Sequence, residues 1–538
     1  MTADADTYDY IVTGAGSSGC VVAARLSENG RHRVLLLEAG PEDSNFWIQV
    51  PMGYARLHAN PAVNWMYQSE PEPELNGRST FQPRGKVLGG TSSINGMLYM
   101  RGHRADYDEW RQRGCIGWDW ESVLPYFKKS EDQERGADEF HGVGGPLRVS
   151  DHPIHWKLAE QWVAAGVEAG LPPRDDFNDG EQEGIGPYQS TTYRGRRWSS
   201  AAAFLRPARN RRNLTIATRA LATKILIENG RASGIAYLYK GTPRTAHARR
   251  EVIVSGGVFN SPQLLQLSGL GPGGLLQKLG IPVIRDIPAV GEHLQDHFSL
   301  RASYRATQPL TLNDVANSFW RKMVAGAQAL LHYGPLSSSG IAAGGFARSD
   351  PRLDRPDLQH NFTNWSYSER DHRGVRQHPF PGFSISTVHL RPDARGTVHI
   401  KSPDPLAPPE IRFNFLRTAY DIQAMTAALR LVRKISQQPA MTPYVAGELL
   451  PGPSVNTDAE YEAAIRQYGN SNLHPVGTCR MGPNDTEVVD PRLRVYGIGS
   501  LRIADCSIMP TLPAGNTNAP AVMVGEKAAD MILKDTGA

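Results

Sequence analysis

Three stretches of the chain carry residue types at spacings that do chemistry. Gly14-Ala15-Gly16-Ser17-Ser18-Gly19 is a glycine turn of the GxGxxG kind. In such a turn the first glycine permits the bend and the second lets backbone approach a pyrophosphate. The third lets a helix pack close to a strand. Free N–H groups and the dipole at the helix start then favour anionic oxygens. Residues 84–96, RGKVLGGTSSING, form a second Gly/Ser-rich stretch, either another close approach of backbone to a ligand or simply a loop. His474-Pro475-Val476-Gly477 sets one of 16 histidines in a tight, non-helical corner of the kind that presents side chains to a site. A neutral imidazole, with an ordinary pKa of ~6.5, is suited to take a proton from a hydroxyl.

The elements that must position these groups follow from the hydrophobic pattern. Tyr10-Ile11-Val12 leads into the first turn, apolar residues at helical spacing occupy 20–26, and Arg33-Val34-Leu35-Leu36-Leu37 closes on Glu38. That predicts strand, glycine turn, helix and strand, all buried as in a parallel sheet, with Glu38 placed to accept hydrogen bonds from ribose hydroxyls. The turn alone does not separate FAD from NAD. Residues 214–218, 223–228, 232–239 and 246–255 read as a β-meander with a turn at Asn229-Gly230. Pro520 suits the first position of a helix that continues through the apolar stretch 521–532.

Composition bounds the rest. The 538 residues include 58 Lys and Arg against 54 Asp and Glu, a net charge of +4. A protein that tracked phosphates would carry a much larger basic excess, so no nucleic-acid partner is expected. Hydrophobic residues at 40% and charged residues at 21% suit an ordinary globular chain rather than a disordered one. Cys20, Cys115, Cys479 and Cys506 have no CxxC spacing, so neither a disulfide framework nor a metal site is expected. No apolar run reaches about 18 residues, which predicts no membrane span. The acidic start MTADADTYDYIVTG shows no signal-peptide pattern, so the expected location is cytoplasmic.

The two glycine stretches are followed by 257–271 (GVFNSPQLLQLSGLG), 290–297 (VGEHLQDH), 474–482 (HPVGTCRMG), 504–510 (ADCSIMP) and 515–520 (GNTNAP). In this order, from residue 8 to about 533, the chain resembles the glucose–methanol–choline oxidoreductases, a family of flavoproteins, and most of all their bacterial alcohol and choline dehydrogenases. The resemblance implies FAD, held non-covalently, because Ile94 stands where some members bond a histidine to the flavin. It implies Asn95 near the flavin N5 edge, and Gly89, Gly90, Thr91 and Ser92 near the ring and ribityl chain. Asp505 matches the acidic residue near the ribityl and pyrophosphate portion, and the backbone of Ala222 the position that reads adenine. Ser17, Ser18, Ala39, Arg84, Gly96, Met97 and Pro520 complete the expected cofactor contacts. His474 matches the family's catalytic base. Asn518 matches its partner, orienting the alcohol over the flavin.

Because its motifs lie near both termini, the FAD-binding domain must be discontinuous: 1–155, 196–305 and 465–538, α/β and Rossmann-like. Residues 156–195 and 306–464 carry no cofactor motif. By resemblance they form an interleaved α+β substrate domain, an antiparallel sheet with helices on one face. Arg194, Arg196, Arg197, Arg206, Arg209, Arg211 and Arg212 read as a solvated face with ion pairs. His360, Phe362, Asn364, Trp365 and Tyr367 fall in a region able to line a pocket, though ordinary core and surface is the simpler reading. Residues 369–374 read as an exposed loop.

The expected reaction oxidises a primary alcohol to an aldehyde by hydride transfer to flavin N5, with electrons passed to a quinone-like acceptor. A monomer or a homodimer is expected. A choline substrate needs an aromatic cage or a carboxylate, and Leu473 stands where an aromatic residue often precedes the catalytic histidine. That weakens choline and favours a neutral alcohol. Asn472, polar and near the flavin C4a region, favours an acceptor other than oxygen. The alternatives are an oxidase of aryl or furanic alcohols or choline that releases hydrogen peroxide, and a hydroxynitrile-lyase-type enzyme with non-redox FAD. An NAD-dependent dehydrogenase fits the first turn but not the other motifs.

Overall fold

The computed structural model describes residues 6–535 and 537; the outermost residues of the expected first domain, 1–5, 536 and 538, lie outside it. Thr7–Thr13 carries Tyr10, Ile11 and Val12 with no exposure at all, so both of its faces are buried and it runs through the middle of a sheet. Each such fully buried apolar side chain contributes roughly 1.5–3 kcal/mol. Val34–Glu38 and Thr242–Val254 flank it in parallel, and Leu214–Thr218 adds outside Val34–Glu38. The first half of Thr242–Val254 pairs antiparallel with Arg231–Tyr239, which pairs in turn with Ala220–Glu228. Its second half runs parallel to Leu501–Ile503. The meander therefore has three strands, not the four expected. Arg219, at φ +54°, breaks the chain between Leu214–Thr218 and Ala220–Glu228 and sends the former to the opposite edge.

Ser17–Leu26 follows the glycine turn as a helix buried nearly all round, because the C-terminal helix Asn518–Asp535 covers it. A Cβ on Gly525 would lie 2.8 Å from the Ser18 carbonyl oxygen, so the two helices cross in close contact. Buried Glu526 pairs with Arg25 at 2.8 Å and Lys129 at 3.3 Å, which satisfies a carboxylate that would otherwise be costly to bury.

The second sheet is antiparallel throughout: Val445–Leu450, Phe298–Ala306, Gly382–His389, Leu358–Thr363, Ile341–Ala347 and Gly184–Pro187, in that order. Asn470–Ser471 adds beside Phe298–Ala306. Phe298, Leu300, Ala302 and Tyr304 alternate onto one face, where they pack with Leu158 and Trp162 of Lys157–Glu168, with Met425, Leu429 and Val432 of Ala419–Ser436, and with Ile465 of Asp458–Tyr468. Ser299, Arg301 and Ser303 take the other face. Phe298–Ala306 thus belongs to the second sheet, and the expected domain boundary after 305 moves back to about 298; pairing partners, not composition, decide that strand's sheet. Residues 369–374 are a hairpin, Tyr367–Asp371 with Gly374–Gln377, rather than a plain loop.

Among the described residues no helix is long and apolar enough to cross a membrane, and no group of His, Cys, Asp or Glu is placed to hold a metal ion. All four cysteines are unpaired.

Candidate active site

A cavity of about 810 Å³, the size of a ligand site, reaches from the end of the first parallel strands to the polar face of the second sheet. The glycine turn forms one end. Gly14, at φ +91°, leaves no room for a side chain: a Cβ there would lie 2.4 Å from the Ser255 carbonyl oxygen. A Cβ on Gly19 would lie 1.9 Å from the Gly14 oxygen, so Gly19 is required by packing and does not reach the cavity. Gly16 differs, since a Cβ there would meet nothing within 4 Å. It opens onto the cavity, as do Ser17 and Ser18. Glu38 and Ala39 line the same end. The Glu38 carboxylate accepts hydrogen bonds from the backbone N–H groups of Ala15 (3.0 Å) and Gly40 (2.8 Å), and burial pushes its pKa up to about 7.

The second glycine stretch rests directly on the first. The Gly89 N–H donates to the Ala15 carbonyl at 2.8 Å, and a Cβ on Gly90 would lie 2.7 Å from the Gly16 Cα. Gly90, Thr91, Asn95, Gly96 and Met97 line the cavity; Gly89 and Ser92 stand behind that wall. The Ser92 hydroxyl donates to the Gly89 carbonyl and accepts from the Ser200 N–H, which fixes the loop. The Asn95 carbonyl oxygen accepts from the Arg197 guanidinium at 2.9 Å. Arg197 is thus no part of a solvated face: it is buried, held down to about 9 by that burial, and also donates to the Ile48 and Ser92 carbonyls. Arg206 and Arg209 do make the expected surface ion pairs, with Asp43 and Glu42.

Ala222 and Asp505 line the wall between these loops and the second sheet. Asp505 accepts from the Gly257 N–H at 2.9 Å and the Ser261 hydroxyl at 2.6 Å, tying down the start of the helix Gly257–Leu267. Trp365 and Tyr367 line the cavity; His360, Phe362 and Asn364 do not, because alternation along Leu358–Thr363 presents Asn361 and Thr363 instead. Pro520 is buried in the first turn of a helix that begins at Asn518, so it is not the first helical residue and lies off the cavity.

His474 lines the cavity between these loops and the second sheet. Leu473, at φ +68°, turns the chain so that the His474 N–H donates to Asp296 at 2.7 Å. The other Asp296 oxygen accepts from the Ser471 hydroxyl, and burial raises this carboxyl to about 6. Half-buried Arg84 donates to the Leu473 carbonyl at 2.9 Å. Desolvation and the neighbouring Arg84 charge lower the His474 imidazole to about 3, so the ring is neutral at working pH. Its Nδ1 lies 3.0 Å from the Nδ1 of His297, which is buried and also held well below its ordinary pKa. Its Nε2 lies 3.0 Å from the Asn516 side-chain amide nitrogen. With that amide as donor, the Nε2 lone pair accepts its N–H, and in that tautomer the single ring proton sits on Nδ1, toward His297.

The residue facing the His474 imidazole is therefore Asn516, a correction to the expected Asn518. Gly515, at φ +135°, reverses the chain so that Asn516 reaches the imidazole. Asn518 starts the helix two residues later, and its side-chain oxygen accepts from the Ser17 hydroxyl at 2.8 Å. It lines the cavity beside the glycine turn instead. Sequence reasoning also passed over His297 and Asp296, although both stand in the quoted VGEHLQDH stretch.

The arrangement fits the FAD implied by the resemblance. It supplies an open glycine and helix N–H groups for a pyrophosphate, a carboxylate at the end of the second strand for a ribose, and a neutral imidazole further along the cavity. Two family models, both described as GMC oxidoreductase, match residues 8–299 and 392–525. An oxygen-dependent choline dehydrogenase of Sinorhizobium fredii is 44% identical over 528 residues, 98% of this chain and 95% of that protein. An alcohol dehydrogenase (acceptor) of Pseudomonas putida is 43% identical over 532 residues, 98% and 96% of the two chains. The crystal structure of pyridoxine 4-oxidase from Mesorbium loti superposes with a TM-score of 0.88 at 30% identity, covering 97% of this chain and 98% of that one.

Proposed function

The chain belongs to the GMC oxidoreductase family, and on that premise we propose that it oxidises a primary alcohol to the aldehyde with His474 as the base. Members of the family bind FAD. FAD bound in the cavity supplies the acceptor for the hydride that leaves the alcohol carbon. The observation that carries the reading is the neutral His474 imidazole, 3.0 Å from the Asn516 amide in the wall of a cavity that begins at the glycine turn.

His474 Nε2 takes the hydroxyl proton as the C–H bond is broken. The Asn516 N–H groups hold the alcohol oxygen and fix the carbon's orientation, a role for which an amide, with no basicity at neutral pH, is suited. His297 accepts a hydrogen bond from the Nδ1–H and so keeps the lone pair on Nε2. Arg84 and Asp296 hold the backbone on either side of His474. The negative charge that develops on the alcohol oxygen is stabilised in a buried site, where fixed dipoles act more strongly than in water.

FAD is held without a covalent bond in this reading: Ile94 packs among Ile48, Leu57, Val63 and Val87 and offers no nucleophile. The electron acceptor is quinone-like, supported by polar Asn472 in the cavity wall, 3.3 Å from His474 Nδ1. The unpaired thiols accord with a reducing compartment, and the cytoplasm is the proposed location.

Anaerobic mixing of the holoenzyme with a panel of primary alcohols tests the reaction, and the flavin absorbance should bleach. Mixing the bleached enzyme with oxygen or a quinone then tests the acceptor; faster reoxidation by oxygen makes the protein an oxidase. Failure of every alcohol to bleach it would leave the non-redox lyase reading in possession.

A further inference from the structure

The part of the cavity beyond His474 is built on the polar face of the second sheet, and its charge is one-sided. Three arginines line the cavity: Arg78, Arg84 and Arg301. Its two acidic lining residues, Glu38 and Asp505, both lie at the cofactor end and are bound by backbone N–H groups. Among the described lining residues, then, no carboxylate faces the substrate end.

Arg301 stands at the centre of that face. It pairs in register with Ser386, which pairs with Asn361, and the next row is Ser303, Ser384 and Thr363. The floor is a patch of neutral hydrogen-bonding side chains around one guanidinium. Two aromatic faces able to hold a quaternary ammonium are already covered by the protein's own cations. The Arg301 guanidinium lies 3.4 Å from the Tyr367 ring centroid, and Lys86 Nζ lies 4.6 Å from that of Trp65. His378, also in the wall, is held below its ordinary pKa by burial and by Arg301. A cationic substrate would meet like charge at this end of the cavity.

We propose that the alcohol oxidised here carries a carboxylate several bonds from its hydroxyl, and that Arg301 receives it. Arg301 lies four residues along its strand from His297, the neighbour of the base, a rise of about 13 Å. The arginine side chain spans part of that distance, and the substrate's carbon skeleton spans the rest. The guanidinium fork matches a carboxylate in plane, and the serine and asparagine side chains beside it have N–H and O–H groups to add. The inference rests on the alcohol-oxidising reading above and adds the substrate's charge to it.

The test is anaerobic flavin reduction in the holoenzyme with matched alcohols: para-hydroxymethylbenzoate, para-methylbenzyl alcohol, the para-trimethylammonio analogue, and choline. The carboxylate should give the highest kcat/KM and the two cations the lowest. Arg301→Gln should lower the carboxylate-to-neutral ratio of kcat/KM roughly 10- to 100-fold, and Arg301→Lys should recover part of it. Because the wild-type series alone ranks the charges, a variant that fails to fold does not block the test. Preference for the neutral or cationic alcohol, or an unchanged ratio in Arg301→Gln, overturns this inference alone. No bleaching by any of the four overturns the reading beneath it as well.

Discussion

Replacing Gly16 by alanine separates what the fold needs from what the cofactor needs. Gly16 has φ −79° and ψ −164°, extended backbone that alanine adopts, and a Cβ there would meet no protein atom within 4 Å. The cofactor-free protein should therefore tolerate Gly16→Ala, and a gain of about 0.4–1 kcal/mol follows from the smaller freedom of its unfolded chain. The methyl group would occupy space assigned to the pyrophosphate. Overpacking of one methyl costs about 1–3 kcal/mol, so FAD should bind roughly 5- to 140-fold more weakly. Gly19→Ala is the control, since its Cβ would lie 1.9 Å from the Gly14 oxygen and must destabilise the protein with or without FAD. Thermal melting of both apoproteins and titration with FAD by quenching of flavin fluorescence give the two quantities. Wild-type affinity in Gly16→Ala would place the pyrophosphate elsewhere and refute the reasoning, and so would an apoprotein as unstable as Gly19→Ala.

His474→Ala should retain FAD and reduce it about 10²- to 10⁴-fold more slowly in rapid mixing with alcohol; wild-type reduction would reject the base. Asn516→Ala should lower that rate more than Asn518→Ala, whereas Asn518→Ala should act more on FAD retention, through the lost contact with Ser17; the opposite order would restore Asn518 as the partner. Burial and Arg84 hold His474 near 3, and a base is active when unprotonated, so flavin reduction should be level from about pH 5 to about 8 and fall only in stronger acid. A step near pH 6.5 assigned to His474 would contradict this. Acid precipitation should release all the flavin into the supernatant, and yellow protein in the pellet would show a covalent bond.

The parallel strands and the first helix were legible because their signal is local. Tyr10, Ile11 and Val12 form an unbroken apolar run before a glycine turn, and only burial on both faces suits it. The place of His474 in the cavity wall was legible for a similar reason, since it sits in a corner whose Pro475 and Gly477 exclude a helix. What could not be read depended on dihedral angles or on distant partners. Asn516 and Asn518 share one side-chain chemistry two residues apart, and the bend at Gly515 together with the helix start at Asn518 decides which one reaches the imidazole. Arg197 stood among six other arginines with nothing in its type to mark it as buried. Phe298–Ala306 alternates as any half-buried strand does, and its sheet is set by Gly382–His389, a segment far along the chain.

The last strand and helix of the cofactor domain, Leu501–Ile503 and Asn518–Asp535, complete a sheet and cover a helix formed by the first residues. During synthesis at about 5–20 residues per second, the opening strand–turn–helix waits roughly 25 to 100 s for them. The glycine turn is made early, but its outer wall, including Asn518 against Ser17, arrives 501 positions later. Cofactor capture therefore waits for segments some 501 positions further along the chain, and a chain cut short before Asn518 carries the dinucleotide motif without that wall.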